Sequence, residues 1–234
     1  MPAEEDTGII FRRVDFSPPV EIKAIVNNVG ATTLATTLMQ GEVQISTIEH
    51  MLSAFAGLGI DNAIIEIDDV EVPIMDGSSS SFVFLIQSAG IKEQTKPKKF
   101  IKIKEEISVE TDNGAFVKLS PYDGFKVTYS LVYDDDKHKQ YSSKSTIDFN
   151  STTYLKEISR ARTFGFMEEV NMLKDKNLAL GASEKNAIAI GEDGIINEEG
   201  LRSKDEFVKH KILDVVGDLY LLQYNIIGEF EGYK

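Results

Sequence analysis

Residues four apart on a helix share one face, separated by about 40° and roughly 6 Å of rise. In the stretch 210–218, His-Lys-Ile-Leu-Asp-Val-Val-Gly-Asp, that spacing puts His210, Asp214 and Asp218 in a single polar stripe. The other faces carry Ile212, Leu213, Val216, Leu219 and Tyr220, so the segment reads as a helix packed on most of its circumference. An imidazole and a carboxylate one turn apart can chelate a divalent metal ion, and a carboxylate one turn further on can orient a neighbouring group. The ordinary alternative is an i,i+4 His–Asp pair worth about 0.2–0.5 kcal/mol.

A second phrase lies far upstream, Ser46-Thr47-Ile48-Glu49-His50-Met51-Leu52-Ser53-Ala54-Phe55. Ser46 followed by Glu49 has the form of a capping box, which predicts a helix start. Ile48, Met51, Leu52 and Phe55 then follow the i, i+3, i+4, i+7 spacing of a buried stripe. Glu49 has two readings at this point. It closes the cap on the Ser46 amide, or it is a carboxylate beside a metal-ligating His50, placed to take a proton from water. His50 itself could equally be a core histidine on the apolar side of the first turn.

Composition narrows the chemistry. The 234 residues carry no cysteine and three histidines, His50, His138 and His210. Disulfides, thiolate catalysis and Cys-rich structural zinc are therefore excluded together. Any zinc site must recruit carboxylates, and a His-His-Asp set leaves a coordination position open, as catalytic sites do. With 25 Lys and Arg against 38 Asp and Glu, the net charge of −13 disfavours nucleic acid as a partner. No apolar run reaches the ~18 residues of a membrane span, and the acidic start Met-Pro-Ala-Glu-Glu-Asp lacks the regions of a signal peptide, so a cytoplasmic protein is expected.

Along the chain, residues 9–45 are expected to be mostly extended, including the Thr-rich run 31–38. The capped helix follows over 47–57, then a strand at 62–67, a loop over 73–81 and a helix over 82–89 closed by Gly90. The polar segment 92–99, with Pro97, reads as a linker between a domain 1–91 that carries Glu49 and His50 and a domain 100–234 that carries His210 and Asp214. In the second part, strands are expected near 100–109, 115–120 and 124–133, with helical stretches at about 152–159, 166–175 and 204–222. Strands, helix, strands and helix thus recur, giving an α+β chain of two similarly built halves. Asp134-Asp135-Asp136-Lys137-His138 reads as a solvated turn rather than a metal cluster, because nothing rigid holds its ligands. The Ser78–Ser81 run lacks the glycines of a phosphate cradle.

Six phrases, in order, then carry a resemblance: Thr7 to Arg13, Ser46 to Leu52, Pro73-Ile74-Met75-Asp76-Gly77-Ser78, Arg160-Ala161-Arg162-Thr163-Phe164-Gly165-Phe166, Asn197 to Arg202, and Asp205 to Leu222. Over nearly its whole length the chain resembles the zinc-dependent UDP-3-O-acyl-N-acetylglucosamine deacetylases of lipid A synthesis. The resemblance implies a sandwich of two α+β domains with helices packed between two β-sheets. It implies zinc on His50, His210 and Asp214, Glu49 as general base, Thr163 at the oxyanion, and Asp218 orienting a catalytic histidine. Phe164 and Lys211 would contact the UDP-linked acylated amino sugar, and the region after Phe166, with Met167, Met172 and Leu173, would shape an apolar passage for the acyl chain. A monomer is expected. The general acid implied is a histidine in the phrase Tyr-Lys-Ser-Gly-His, and the implied opening strand pair precedes Asp6. Since the sequence runs from Met1 to Tyr233-Lys234, the expectation is a chain cut at both ends with impaired turnover. The alternative is a zinc-loaded, non-catalytic ligand-binding fragment of the same fold.

Overall fold

The computed structural model describes residues 1–170, 181 and 183–234. In the first half, β1 (Ile9–Arg13) is the centre of a three-stranded sheet, antiparallel to β2 (Val20–Lys23) and parallel to β5 (Ala63–Ile67). A ribbon of β3 (Leu38–Gln40) and β4 (Val43–Ile45) leads into helix α1 (Glu49–Leu58), and α2 (Ser80–Ala89) follows β5. Gly59, at φ 72°, closes α1 in the left-handed conformation that a residue without Cβ adopts at no steric cost.

The second half is built on a larger sheet ordered β10 (Ser143–Asp148), β9 (Phe125–Leu131), β14 (Asn225–Tyr233), β8 (Phe116–Ser120) and β7 (Ile107–Glu110). A further strand, β6 (Phe100–Lys102), pairs in parallel with the start of β14. Helix α3 (Ser151–Thr153) runs on into a π-helical turn, Tyr154–Ile158. A small sheet of β11 (Phe164–Phe166), β12 (Ile188–Gly191) and β13 (Gly194–Ile195) precedes α4 (Glu206–Leu219). Among the described residues no helix is long and apolar enough to cross a membrane.

One continuous core joins these parts. Phe11, Ile22 and Ile67 come from the first sheet, and Val127, Ile147 and Phe230 from the larger one. Between them lie Leu52 and Phe55 of α1 and Ile212, Leu213 and Val216 of α4. The helices therefore form the filling of an α+β sandwich, as the resemblance implies. Each fully buried Ile or Leu, such as Leu52, Ile212 and Leu213, contributes about 1.5–3 kcal/mol relative to exposure.

α1 and α4 touch backbone to backbone at Gly217. A Cβ on this glycine would overlap the carbonyl oxygen of Glu49, so the helices could not keep their spacing. Gly217→Ala is expected to lower the unfolding free energy by at least about 1–3 kcal/mol, the usual cost of overpacking. Urea denaturation measures this; an unchanged stability would show that the helices can separate without loss.

Three sequence expectations need correction. The Thr-rich run is a loop rather than a strand up to Leu38: it folds on itself through Thr37 N–H to Ala31 O (3.1 Å) and Gly30 N–H to Thr37 O (2.8 Å), with Leu34 at φ 67°. The capping box does not form, because Thr47 at φ 58° turns the chain between its two members. Ser46 instead shares a hydrogen bond with the Thr37 hydroxyl at 2.9 Å, and α1 begins at Glu49, two residues later than expected. The third is β14, which has no counterpart among the expected strands. It alternates strictly between buried and half-buried, but two of its four buried positions are Gly228 and Gly232, which blunt the apolar signal. Of the helix expected over 166–175, residues 167–170 are helical and 171–175 lie outside the described residues.

Candidate metal centre

The polar stripe of α4 faces the first turn of α1. His50 and His210 bring their rings to 4.9 Å between centroids, nearly perpendicular. Their Nε2 atoms lie 3.5 and 3.3 Å from the same oxygen, Oδ1 of Asp214. The other oxygen of Asp214, Oδ2, accepts from Lys211 Nζ at 2.9 Å. Oδ1 is buried and has no hydrogen-bond partner among the described residues, and neither has Nδ1 of His50.

That orphaned oxygen is informative. A buried acceptor without a donor costs about 1–3 kcal/mol, yet here it is aimed at two imidazole nitrogens. His210 donates from Nδ1 to Ala161 O (3.0 Å), which fixes its tautomer and leaves a lone pair on Nε2. Three lone-pair donors within 4.8 Å of one another form a group that a cation would satisfy, and His50, His210 and Asp214 are the one such group among the described residues. The donor set of two imidazoles and a carboxylate fits zinc with an open position. Asp134–His138 forms no such group; His138 Nδ1 pairs with Asp135 (2.9 Å) and its ring lies 4.0 Å from that of Phe166.

Local structure holds these side chains in place. Ser79, at the start of α2, donates to the carbonyl of His50 at 2.7 Å and pins the first turn of α1. Glu49 is buried, and its Oε2 accepts from the backbone N–H of Thr36 at 3.1 Å rather than from Ser46. The hydroxyl of the same Thr36 donates to Asp218 Oδ1 at 2.7 Å. On the opposite side, Thr163 N–H donates to Gly77 O at 2.8 Å, and Arg202 reaches both Asp76 (2.9 Å) and Arg160 O (3.0 Å). The loop 73–79 thereby fixes the segment from Arg160 to Phe164. The Phe164 ring lies 6.3 Å from that of His210, with Lys211 Nζ 5.5 Å from its centre.

The electrostatics follow from burial and like charge. Burial pushes Glu49 up to about 7, with His50 pulling it down and Asp214 and Asp218 adding to the rise. Burial likewise lifts Asp218 to about 6, against the Thr36 hydrogen bond. His210, fully enclosed, is pushed down to about 3 and is neutral, as a metal ligand must be. Asp214 is drawn well below its ordinary value: burial would raise it, but His210, Lys211 and His50 outweigh that.

The structure thus gathers His50, His210, Asp214, Glu49 and Asp218, flanked by Phe164, Lys211 and the segment bearing Thr163. Of the proposed acyl passage, Met167 is described; Met172 and Leu173 lie outside the described residues. Sequence reasoning missed Thr36, Ser79 and the Ala161 carbonyl. A cavity of about 1170 Å³ lies elsewhere, between residues 1–8, β5 and 91–99. Of its basic side chains, Lys96 and Lys99 pair with Asp6 and Lys98 with Asp61, and its lining brings together no metal-ligating group among the described residues.

The fold is an α+β sandwich whose filling carries a His-His-Asp group that could hold a metal ion, beside a further carboxylate. The sequence model of the UDP-3-O-acyl N-acetylglycosamine deacetylase family matches residues 1–234, and the chain belongs to that family. It is 58% identical over 233 residues to a UDP-3-O-acyl-N-acetylglucosamine deacetylase of Pseudomonas entomophila (strain L48), covering 100% of this chain and 77% of the relative. Proteins of the same name from Methylococcus capsulatus (strain ATCC 33009 / NCIMB 11132 / Bath) and Cellvibrio japonicus (strain Ueda107) are 56% and 52% identical, again over 100% of this chain and 76% and 77% of theirs.

Proposed function

We propose that this chain hydrolyses the N-acetyl amide of UDP-3-O-acyl-N-acetylglucosamine in lipid A biosynthesis, releasing acetate and a free amine, and that its metal is zinc. The observation that carries the proposal is the unpartnered Asp214 oxygen between two imidazoles, beside a buried Glu49, in a chain of a deacetylase family. His50, His210 and Asp214 would hold the ion. A zinc ion there supplies Lewis acidity towards the amide carbonyl and makes a water acidic enough to lose a proton near neutral pH.

Glu49 takes that proton as the water oxygen adds to the amide carbon. The Thr163 hydroxyl donates to the oxygen on which charge develops. The C–N bond then breaks, and the amine leaves with the proton that Glu49 has taken, while Asp218 would orient the further histidine acid that the resemblance implies. Lys211, already drawn towards Asp214, places a positive charge beside Phe164, a pairing suited to a diphosphate-bearing sugar on an otherwise acidic protein.

The test is acetate release from UDP-3-O-acyl-N-acetylglucosamine by the zinc-loaded chain, abolished by a chelator and restored by zinc. Metal analysis is expected to give about one ion per chain. His50→Ala, His210→Ala or Asp214→Ala should each lower that occupancy, and His138→Ala should leave it unchanged. Loss with His138→Ala and retention with His50→Ala would sink the ligand assignment. Zinc retention with no acetate release would favour a ligand-binding role.

A further inference from the structure

The loop 31–37 makes a set of contacts that the proposed chemistry does not assign. Thr36 donates its backbone N–H to Glu49 Oε2 (3.1 Å) and its hydroxyl to Asp218 Oδ1 (2.7 Å). Its carbonyl accepts from Ile48 N at 3.4 Å, at the cap of α1. One residue thus grips the start of α1 and joins a carboxylate of α1 to a carboxylate of α4.

We propose that Thr36 is a positioning residue for the hydrolysis, holding Glu49 through its amide and Asp218 through its hydroxyl. The inference rests on the roles given to those two carboxylates above. A glutamate reaches its carboxylate through several rotatable bonds, and a base is effective only while its oxygen stays within hydrogen-bond reach of the proton it takes. Because Ser46 is engaged with Thr37, it does not close a cap on Glu49. Thr36 donates a hydrogen bond both to the Glu49 carboxylate and to that of Asp218. The bond to Glu49 holds Oε2 and so fixes the orientation of the carboxylate that takes the water proton. Threonine suits the place because a β-branched side chain is stiff at χ1, so the fold of the loop aims the hydroxyl. The Ile48 bond in turn ties the loop to the helix it serves, so the two carboxylates keep a common reference.

Thr36→Val deletes the hydroxyl while keeping the amide and the β-branched shape. In the zinc-loaded chain it is expected to lower kcat by about tenfold, with KM within about twofold and metal content unchanged, the scale of one hydrogen bond to a charged group. Thr36→Ser should recover most of that loss. Because Thr36→Val and Asp218→Ala remove the two ends of the same bond, the double variant should be no worse than Asp218→Ala alone. Wild-type kcat in Thr36→Val, or additive losses in the double variant, would overturn the inference. A second measurement needs no turnover: hydrogen exchange at the Thr36 amide should be slow in the wild type and at least about tenfold faster in Glu49→Ala. If the wild type released no acetate, the functional reading would fail, and the exchange experiment would decide the Thr36–Glu49 contact by itself. Equal exchange rates in the two proteins would overturn that contact even in an active enzyme.

Discussion

Replacing Glu49 with Gln is expected to leave a folded, metal-loaded protein whose turnover is lowered about 10²–10⁴-fold, the range for removing a positioned base. Glutamine has nearly the same shape, and its amide oxygen can still accept the Thr36 N–H that Oε2 accepts now. The start of α1 therefore stays tethered and His50, one residue on, keeps its place. What glutamine cannot do is take a proton. The native carboxyl is pushed up to about 7 by burial, against the pull of His50 and with Asp214 adding to the rise. Burial thus makes this carboxyl a stronger proton acceptor than an exposed glutamate, and a cation held on His50, His210 and Asp214 would draw it back towards the charged form that accepts a proton. Acetate release per metal-loaded chain measures the loss. Near-normal turnover by a metal-replete Glu49→Gln protein would reduce Glu49 to a tether for the loop 31–37.

This residue also marks where the sequence misleads. Ser46 and Glu49 have the spacing of a capping box, and by local rules Glu49 should be spent on the cap. Tertiary structure overrides the rule: the positive φ of Thr47 separates the pair, Ser46 turns to Thr37, and Glu49 is buried beside Asp214. The α4 stripe was legible because a helix converts a spacing of four directly into a shared face, and the structure keeps Glu206–Leu219 helical throughout. The partners that complete the site were not legible. Ala161, and Thr36 towards Glu49, act through main-chain groups common to almost all residues, and the Thr36 hydroxyl stands in a run rich in threonine, so residue type alone does not betray them. Ser79 stands in a run of four serines and differs from its neighbours only by where α2 begins. The strand β14 was hidden by two glycines at buried positions, although it pairs with both β8 and β9 at the centre of the larger sheet. Resemblance supplied what periodicity could not, the pairing of His50 with a helix 160 residues away; in the structure the His50 and His210 rings lie 4.9 Å apart.

Arg162→Leu is expected to lower the unfolding free energy by about 3–5 kcal/mol, the cost of leaving one member of a buried ion pair without its partner. The Arg162 side chain is 2% exposed and that of Glu206 is fully buried. Arg162 Nε and Nη2 reach the two Glu206 oxygens at 2.9 and 3.3 Å, while Nη1 and Nη2 reach Glu199 (2.8 Å) and Gly200 O (2.7 Å). Burial draws the guanidinium down, but Glu206 and Glu199 more than compensate. Without it, Glu206 keeps only the main-chain N–H groups of Arg162 (3.1 Å) and Arg202 (2.6 Å), too little for an enclosed carboxylate. Because the penalty belongs to the stranded charge, Arg162→Leu/Glu206→Leu should be less destabilised than Arg162→Leu alone. The effect should also reach the metal group: Ala161, the preceding residue, gives its carbonyl to His210 Nδ1, and Glu206 lies in the first turn of the helix that carries His210 and Asp214. A destabilised 160–163 segment frees the His210 ring to rotate and take the other tautomer, so zinc retention under dialysis should fall together with the urea midpoint. A loss of stability below about 1 kcal/mol would show that Glu206 finds other partners once the arginine is gone. Normal zinc retention in a strongly destabilised variant would show that His210 is held by α4 alone.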